Sequence, residues 1–361
     1  MTSSMIPSIA LVLSGGGVRA MAFHVGVIRL LAERHQLEHV RRVSTVSGGS
    51  LLVGLVLHLT TMRWPSSEEF ISSTNLQLRE RFCERSMQWG AARQLLRPWN
   101  WKFLLSRANL LALALRNEWG VIDRLSDVPI DPEWSVNGTT AETGKRFRFK
   151  RDSVGDYTLG YAPPGDFPLA NAMAMSAAFP GAFGPLTLDT RQFNWRKRQA
   201  WTDRADAAIP VAPDHSRLRL YDGGLYDNLG LEPVFDSGKG VPKYPGDIIV
   251  VSDASAPLKS GFSLSALNPW RFKRLVDIVG DQARALRVRT FAHYLQQSPG
   301  RGAYLHINAP LAGTVRCPST AFAARFPTTL RKLTLDEFDA LSDHGYHVAS
   351  QADASFGLVH A

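Results

Sequence analysis

Apolar positions in the first fifty residues fall into two short unbroken runs with a longer mixed stretch between them. "SIALVL" at 8–13 has no polar interruption, the pattern of a strand buried on both faces, and "VRRVSTV" at 40–46 ends in the same way. Between them Met21, Val25, Ile28 and Ala32 recur at helical spacing, with Arg29, Glu33 and Arg34 left for solvent, which predicts a helix over about 18–34. "LLVGLVLHL", following Gly49, predicts a second helix. Strand, helix, strand, helix in that order is the start of an α/β fold.

The pattern then changes. Residues 60–135 set Trp64, Trp89, Trp99, Trp101 and Trp119 among arginines and leucines and predict a helical insertion. Within it "RPWNWKFLLSRANLLALALRNEW" reads as a broad apolar face edged by Arg97, Lys102, Arg107 and Arg116. Two readings fit: a helix packed on the core, or an interfacial helix at a membrane surface, a boundary that suits tryptophan and arginine.

Strand-like pieces return from about residue 136 as "FRFK", "YTLGY", "RLRLY" and "GDIIVVSDAS", the last resembling a central parallel strand. "QFNWRKRQAW", with Arg191, Arg196, Lys197 and Arg198 around Trp195 and Trp201, reads as a solvated hairpin. The tail from about 260 reads mostly helical, and Thr334 followed by Glu337 has capping-box spacing. The expectation is a single domain over 1–361. Its core covers about 8–59 and 136–255, its insertion about 60–135, and a mostly helical C-terminal extension about 260–361.

Composition narrows the class. With 361 residues, 45% of them hydrophobic, the chain can bury a sizeable core. A formal charge of +9 favours an anionic partner: nucleic acid, an acidic lipid surface or an acidic protein. The basic residues are spread in local clusters rather than gathered on one stretch, so no nucleic acid is expected. Cys83 and Cys317 make neither a disulfide framework nor a zinc pattern. The apolar stretches are too short to span a bilayer, and the first lacks a basic leader, which predicts a cytoplasmic location; export without a cleaved leader would leave no trace.

Candidate chemistry lies where strands meet helices. Gly15, Gly16 and Gly17 join the first strand to the first helix, a generic anion site because helix N-terminal N–H groups point outward. Arg19-Ala20 excludes a P-loop, whereas Gly15, Gly17 and Ala20 match a dinucleotide G-x-G-x-x-A, which would want an acidic residue ending the second strand. That strand instead runs into "TVSGGS". Ser47, with Gly48 and Gly49 behind it, resembles a nucleophile elbow whose first small residue is replaced by Thr45; read alone, Ser47 is a helix N-cap. Further on, Asp222 ends a strand and meets Gly223 and Gly224, which alone is an ordinary D-G turn. Asp227 is a second candidate base. His293 or His306 could complete a Ser-Asp-His triad, and His24 reads as a packed residue.

In that order the pieces S-G-G-G-x-R, serine elbow and D-G-G resemble the patatin-like phospholipases. "VNGTTAETGKRFRF" and "AMAMSAAFPGAFGPL" are similar to further segments of that family, so the resemblance covers roughly 8–255. Thr45 and Ala20 depart from its pattern. The resemblance implies a three-layer α/β/α fold with a mainly parallel sheet, and a lipid acyl hydrolase that needs no metal or cofactor. It also implies a Ser47-Asp222 dyad, with the oxyanion held by the N–H groups of Gly15, Gly16 and Gly17 and the charge of Arg19. A transacylase or thioesterase would use the same dyad. A Ser-Asp-His esterase and a nucleotide-binding module stand as alternatives. The expected partners are a phospholipid or other acyl-ester lipid and an anionic membrane surface.

Overall fold

The chain opens as its apolar pattern predicts. β1 (Ile9–Leu13) is buried throughout and leads through the three glycines into α1 (Gly17–Glu33); β2 (Val40–Val46) then leads through Ser47 into α2 (Gly48–Leu59). The strands pair in parallel, ending with Leu13 opposite Thr45, so the two helices start side by side at the strands' C-terminal ends. That edge is where open α/β sheets gather ligands. These coordinates are a computed structural model that describes residues 7–180, 184–200, 203–258, 260–262, 270–311 and 318–356.

α1 departs from the amphipathic expectation, since fifteen of its seventeen residues are buried. Its outer side is covered from far along the chain, which leaves Arg29 half-buried while Glu33 and Arg34 stay exposed.

The insertion is helical. α3 (Ser67–Glu69) runs through a π turn at Phe70–Thr74 into α4 (Asn75–Glu84), followed by α5 (Met87–Gln94), a 3-10 stretch at Pro98–Phe103 and α6 (Ala108–Trp119). The stretch 97–119 is therefore broken rather than one continuous helix: Pro98 sets a separate 3-10 turn, and Ser106 Oγ donates outward to Pro185 O at 2.7 Å. α6 packs its apolar face inward, burying Trp119, while Arg116 turns in to Asn171 Oδ1 at 2.7 Å. Trp64 Nε1 likewise donates to Leu37 O, whereas Trp89, Trp99 and Trp101 face outward.

β3 (Glu133–Thr140) extends the parallel set and then turns it antiparallel through β4 (Arg146–Phe149), β5 (Val154–Asp156) and β6 (Gly160–Ala162). "YTLGY" is not one strand. Asp156 Oδ1 accepts the N–H groups of Thr158 and Leu159, closing a turn that splits it.

α7 (Leu169–Ser176) follows, then β7 (Leu186–Asp189), β8 (Arg196–Lys197), β9 (Ile209–Pro210) and β10 (Arg217–Asp222). β8 pairs with β6 on one side and β9 on the other, so the basic segment lies next to the edge strand; Trp195 within it is buried and donates to Thr190 O. Cys317, Trp201 and residues 181–183 of the "AFPGAFGPL" loop lie outside the described residues.

α8 (Gly224–Asp227), β11 (Phe235–Asp236) and β12 (Val241–Pro242) precede β13 (Ile248–Asp253), which pairs parallel with β1. The C-terminal extension is mostly helical, with α9 (Trp270–Gln297), α10 (Pro318–Arg325) and α11 (Leu335–Phe356), but it also supplies a strand, β14 (Gly302–His306), parallel to β13. The parallel centre thus runs β14-β13-β1-β2-β3.

Side chains alternate across this centre. Ile9, Leu11 and Leu13 join the large core under α1, α2, α7 and α11, and Ala10, Val12, Ile249 and Val251 join a smaller one against Phe291 of α9. The result is helix, sheet, helix. Thr334 and Glu337 form the reciprocal capping box, with Thr334 N–H donating to Glu337 Oε2 and Glu337 N–H to Thr334 Oγ1. α11 then crosses α1 at glycine contacts: a Cβ on Gly26 would lie 1.8 Å from Ser342 O, and one on Gly345 2.0 Å from Phe23 O.

Candidate active site

Ser47 occupies the turn between β2 and α2 with φ 51° and ψ −116°, a conformation that costs a non-glycine residue on the order of 1–3 kcal/mol. Glycine neighbours make the turn possible. A Cβ on Gly48 would meet Gly17 O at 2.5 Å, and one on Gly49 would meet Leu13 O at 2.5 Å. The serine is thus pressed out of the strand's path by backbone on two sides.

Asp222 ends β10 and is buried. Its carboxyl accepts the N–H of Gly224 at 2.7 Å, and the Ser47 hydroxyl lies near enough to favour its charged form. Burial pushes its pKa up to about 7, against the lowering effect of those two donors. A carboxyl poised there can exchange a proton with a hydroxyl at neutral pH. Asp222 itself is fixed at both ends of its backbone: its N–H donates to Ala178 O, and its carbonyl accepts from Thr139 Oγ1.

Beneath the serine runs a chain of buried hydroxyls. Ser176 Oγ donates to Asn137 O at 2.7 Å and accepts the Ser47 N–H at 3.0 Å, so Ser50, 2.8 Å away, is left to donate to it. Ser50 in turn accepts from Thr45, 2.7 Å away, and Thr45 Oγ1 accepts Trp134 Nε1–H at 2.9 Å. Thr45 therefore faces inward, into this chain. Asn137 braces the same strand end, its Nδ2 donating to Thr45 O and Ser44 Oγ.

The glycine loop divides its amides. Gly15 N–H donates to Asn228 O at 3.1 Å, which removes it from the expected set of oxyanion donors. Val18 N–H is taken by Thr329 O of the C-terminal segment. Among the described residues no acceptor faces the N–H of Gly16, Gly17 or Gly48, and a Cβ on Gly48 would lie 3.1 Å from Gly17 N, so the last two amides are neighbours. Gly16 and Gly17 hold φ of 148° and 61°. Arg19 corrects another expectation. It is buried, with Nε donating to Ala254 O and a terminal nitrogen to Phe326 O, and burial lowers its pKa to about 10. Its guanidinium ties the loop to two distant carbonyls.

The other candidates separate from the site. Asp227 is occupied by the N–H groups of Leu229 and Glu232 and lies 3.7 Å from Arg287. His24 bridges Ser252 Oγ and Ser14 O in the core, and burial drives its pKa down to about 4, so it is packed and neutral. His306 ends β14, separated from β2 by β13 and β1, and His293 pairs with Gln297 on α9. Neither stands between Ser47 and Asp222. Asn228, which sequence reasoning did not single out, holds Gly15 through its carbonyl and Ser255 through its Nδ2. Among the described residues no three His, Cys, Asp or Glu side chains gather in a metal-binding arrangement.

A family model described as patatin-like phospholipase matches residues 11–235, a span that holds Ser47, Asp222 and the glycine loop. No curated protein matches in sequence. Among solved structures, human GIVD cytosolic phospholipase A2 superposes with a TM-score of 0.59 at 15% identity, over 98% of this chain and 60% of that one. The same human enzyme in complex with methyl gamma-linolenyl fluorophosphonate gives a TM-score of 0.53 at 15% identity, over 98% and 58%. This chain therefore spans about three fifths of the length of that phospholipase, and the likeness is one of fold.

Proposed function

The chain belongs to the patatin-like phospholipase family, and from that premise we propose that it cleaves acyl esters of phospholipids or related lipids with a Ser47-Asp222 dyad. The observation that carries this reading is the Ser47 hydroxyl set beside a buried carboxyl whose pKa is raised to about 7. Asp222 takes the hydroxyl proton as Ser47 Oγ attacks the ester carbonyl carbon. The negative oxygen of the tetrahedral intermediate lies against the N–H groups of Gly16, Gly17 and Gly48, whose lack of acceptors supports this role.

Collapse of that intermediate breaks the bond to the alcohol, which leaves with the proton from Asp222. Water then attacks the acyl-Ser47 ester, giving one proton to Asp222, which returns it to Ser47 Oγ. Arg19, Asn228 and Ser176 position the loop and the elbow without meeting the substrate. An acyl acceptor other than water would use the same first half.

The test is covalent labelling by an alkyl fluorophosphonate, the class of reagent held by the human relative. The expected result is one adduct, on the peptide containing Ser47, that Asp222→Asn suppresses. Labelling elsewhere, or equal labelling of Asp222→Asn, contradicts the dyad.

A further inference from the structure

We propose that the segment 89–105 is a docking surface for an anionic bilayer, an inference that rests on the lipid-hydrolase reading above. Residues 85–107 contain five cations, Arg85, Arg93, Arg97, Lys102 and Arg107, and no Asp or Glu. Interleaved with them, Trp89, Trp99 and Trp101 are 65%, 67% and 58% exposed, and Leu96 and Leu105 are 81% and 92% exposed. Tryptophan with arginine and lysine is the composition favoured where headgroups meet acyl chains.

These side chains face outward from a hydrogen-bonded turn. Trp101 Nε1 donates to Leu95 O at 2.9 Å and Asn100 Nδ2 to Gln94 O at 2.9 Å, which fixes the turn from which Trp99 and Trp101 project. Water alone gives no reason to hold so much apolar surface there. Arg85 and Arg93 share Glu118 of α6, 3.8 and 3.5 Å away, so the local charge stays positive.

Position ties the surface to the elements of the proposed dyad. At its start Gln88 N–H donates to Leu330 O and Gln88 Oε1 accepts from Thr329 Oγ1; Thr329 O in turn receives Val18 N–H beside Gly17. At its end Ser106 Oγ donates to Pro185 O, which leads into β7, the strand paired with β10 that ends at Asp222. The surface thus runs from a contact beside the glycine loop to a contact with the strand pair that ends at Asp222. A bilayer seated on it lies beside the elements that carry Ser47 and Asp222.

The test uses Ser47→Ala protein, which would leave vesicles intact, sedimented with phosphatidylcholine vesicles with and without phosphatidylglycerol. The expected result is tighter binding to the anionic vesicles, with Arg97→Gln/Lys102→Gln weakening it about 30-fold. Trp99→Ala/Leu105→Ala should weaken binding to both kinds about tenfold or more, with unchanged melting midpoints. Failure of the parent to bind either vesicle, or unchanged binding in either double variant, overturns the proposal. Because sedimentation needs no catalysis, an absence of fatty-acid release by wild type would count against the hydrolase reading and leave the binding result intact.

Discussion

The hydroxyl of Ser47 stands beside the buried carboxyl of Asp222, and among the described residues no histidine is hydrogen-bonded to either. A carboxylic acid near its ordinary pKa of about 4 would be a weak base for a hydroxyl; burial changes that by raising Asp222 to about 7. Activity toward a soluble ester should therefore rise with pH as Asp222 ionises, and kcat/KM should reach half its plateau near pH 7. A pH profile measured from acid to alkaline conditions checks this, and a midpoint near pH 4 would contradict it.

The same burial makes Asp222 a burden on stability. The native carboxyl keeps its proton up to about pH 7, whereas the unfolded chain releases it near pH 4. Across that window the native state binds more protons, so the stability contributed by the protonated form is present below about pH 4 and lost as pH rises through about 7. Asp222→Asn removes this dependence. It should be inactive, yet more stable than wild type at pH 8 by as much as about 4 kcal/mol, with the gap closing toward pH 4. Denaturant titrations at both pH values measure it.

Thr45 stands where an elbow usually has a smaller residue, and its hydroxyl joins Trp134 to Ser50 and so to Ser176 and the Ser47 amide. Thr45→Val keeps the shape and leaves the buried Trp134 N–H without an acceptor, which should cost about 1–3 kcal/mol. In a Trp134→Phe background the same change should cost less. Equal costs in the two backgrounds would show that the chain is not coupled.

The crossing of α1 and α11 tests whether the C-terminal extension belongs to the core. Gly345→Ala would force a Cβ to within 2.0 Å of Phe23 O, a backbone atom that cannot rotate away. Unfolding free energy should fall by about 3 kcal/mol or more, and fluorophosphonate labelling should fall with it, since α1 carries Gly17 at its start.

Much of this arrangement was legible in the sequence, for physical reasons. The glycines at 15–17, the Ser47-Gly48-Gly49 elbow and Asp222-Gly223-Gly224 are local signals, because a sharp turn between strand and helix demands small residues at fixed offsets. Thr334 and Glu337 announced their helix start in the same local way. What stayed hidden depends on partners distant in the chain. Nothing periodic links Thr45, Ser50, Trp134 and Ser176, and the loss of Gly15 N–H to Asn228 O is decided by how two loops meet. α1 reads as amphipathic because the helix packed along its outer side begins at Leu335. Arg19 reads as an anion ligand beside the glycines, but Ala254 O and Phe326 O reach it first.

The central claim is that Ser47 and Asp222 together cleave lipid esters, and fatty-acid release from mixed phospholipid vesicles without added metal tests it most directly. Wild type should release fatty acid, while folded Ser47→Ala and Asp222→Asn should each fall by several orders of magnitude. Release that survives either substitution, or none by wild type on vesicles and simple esters alike, would contradict the account.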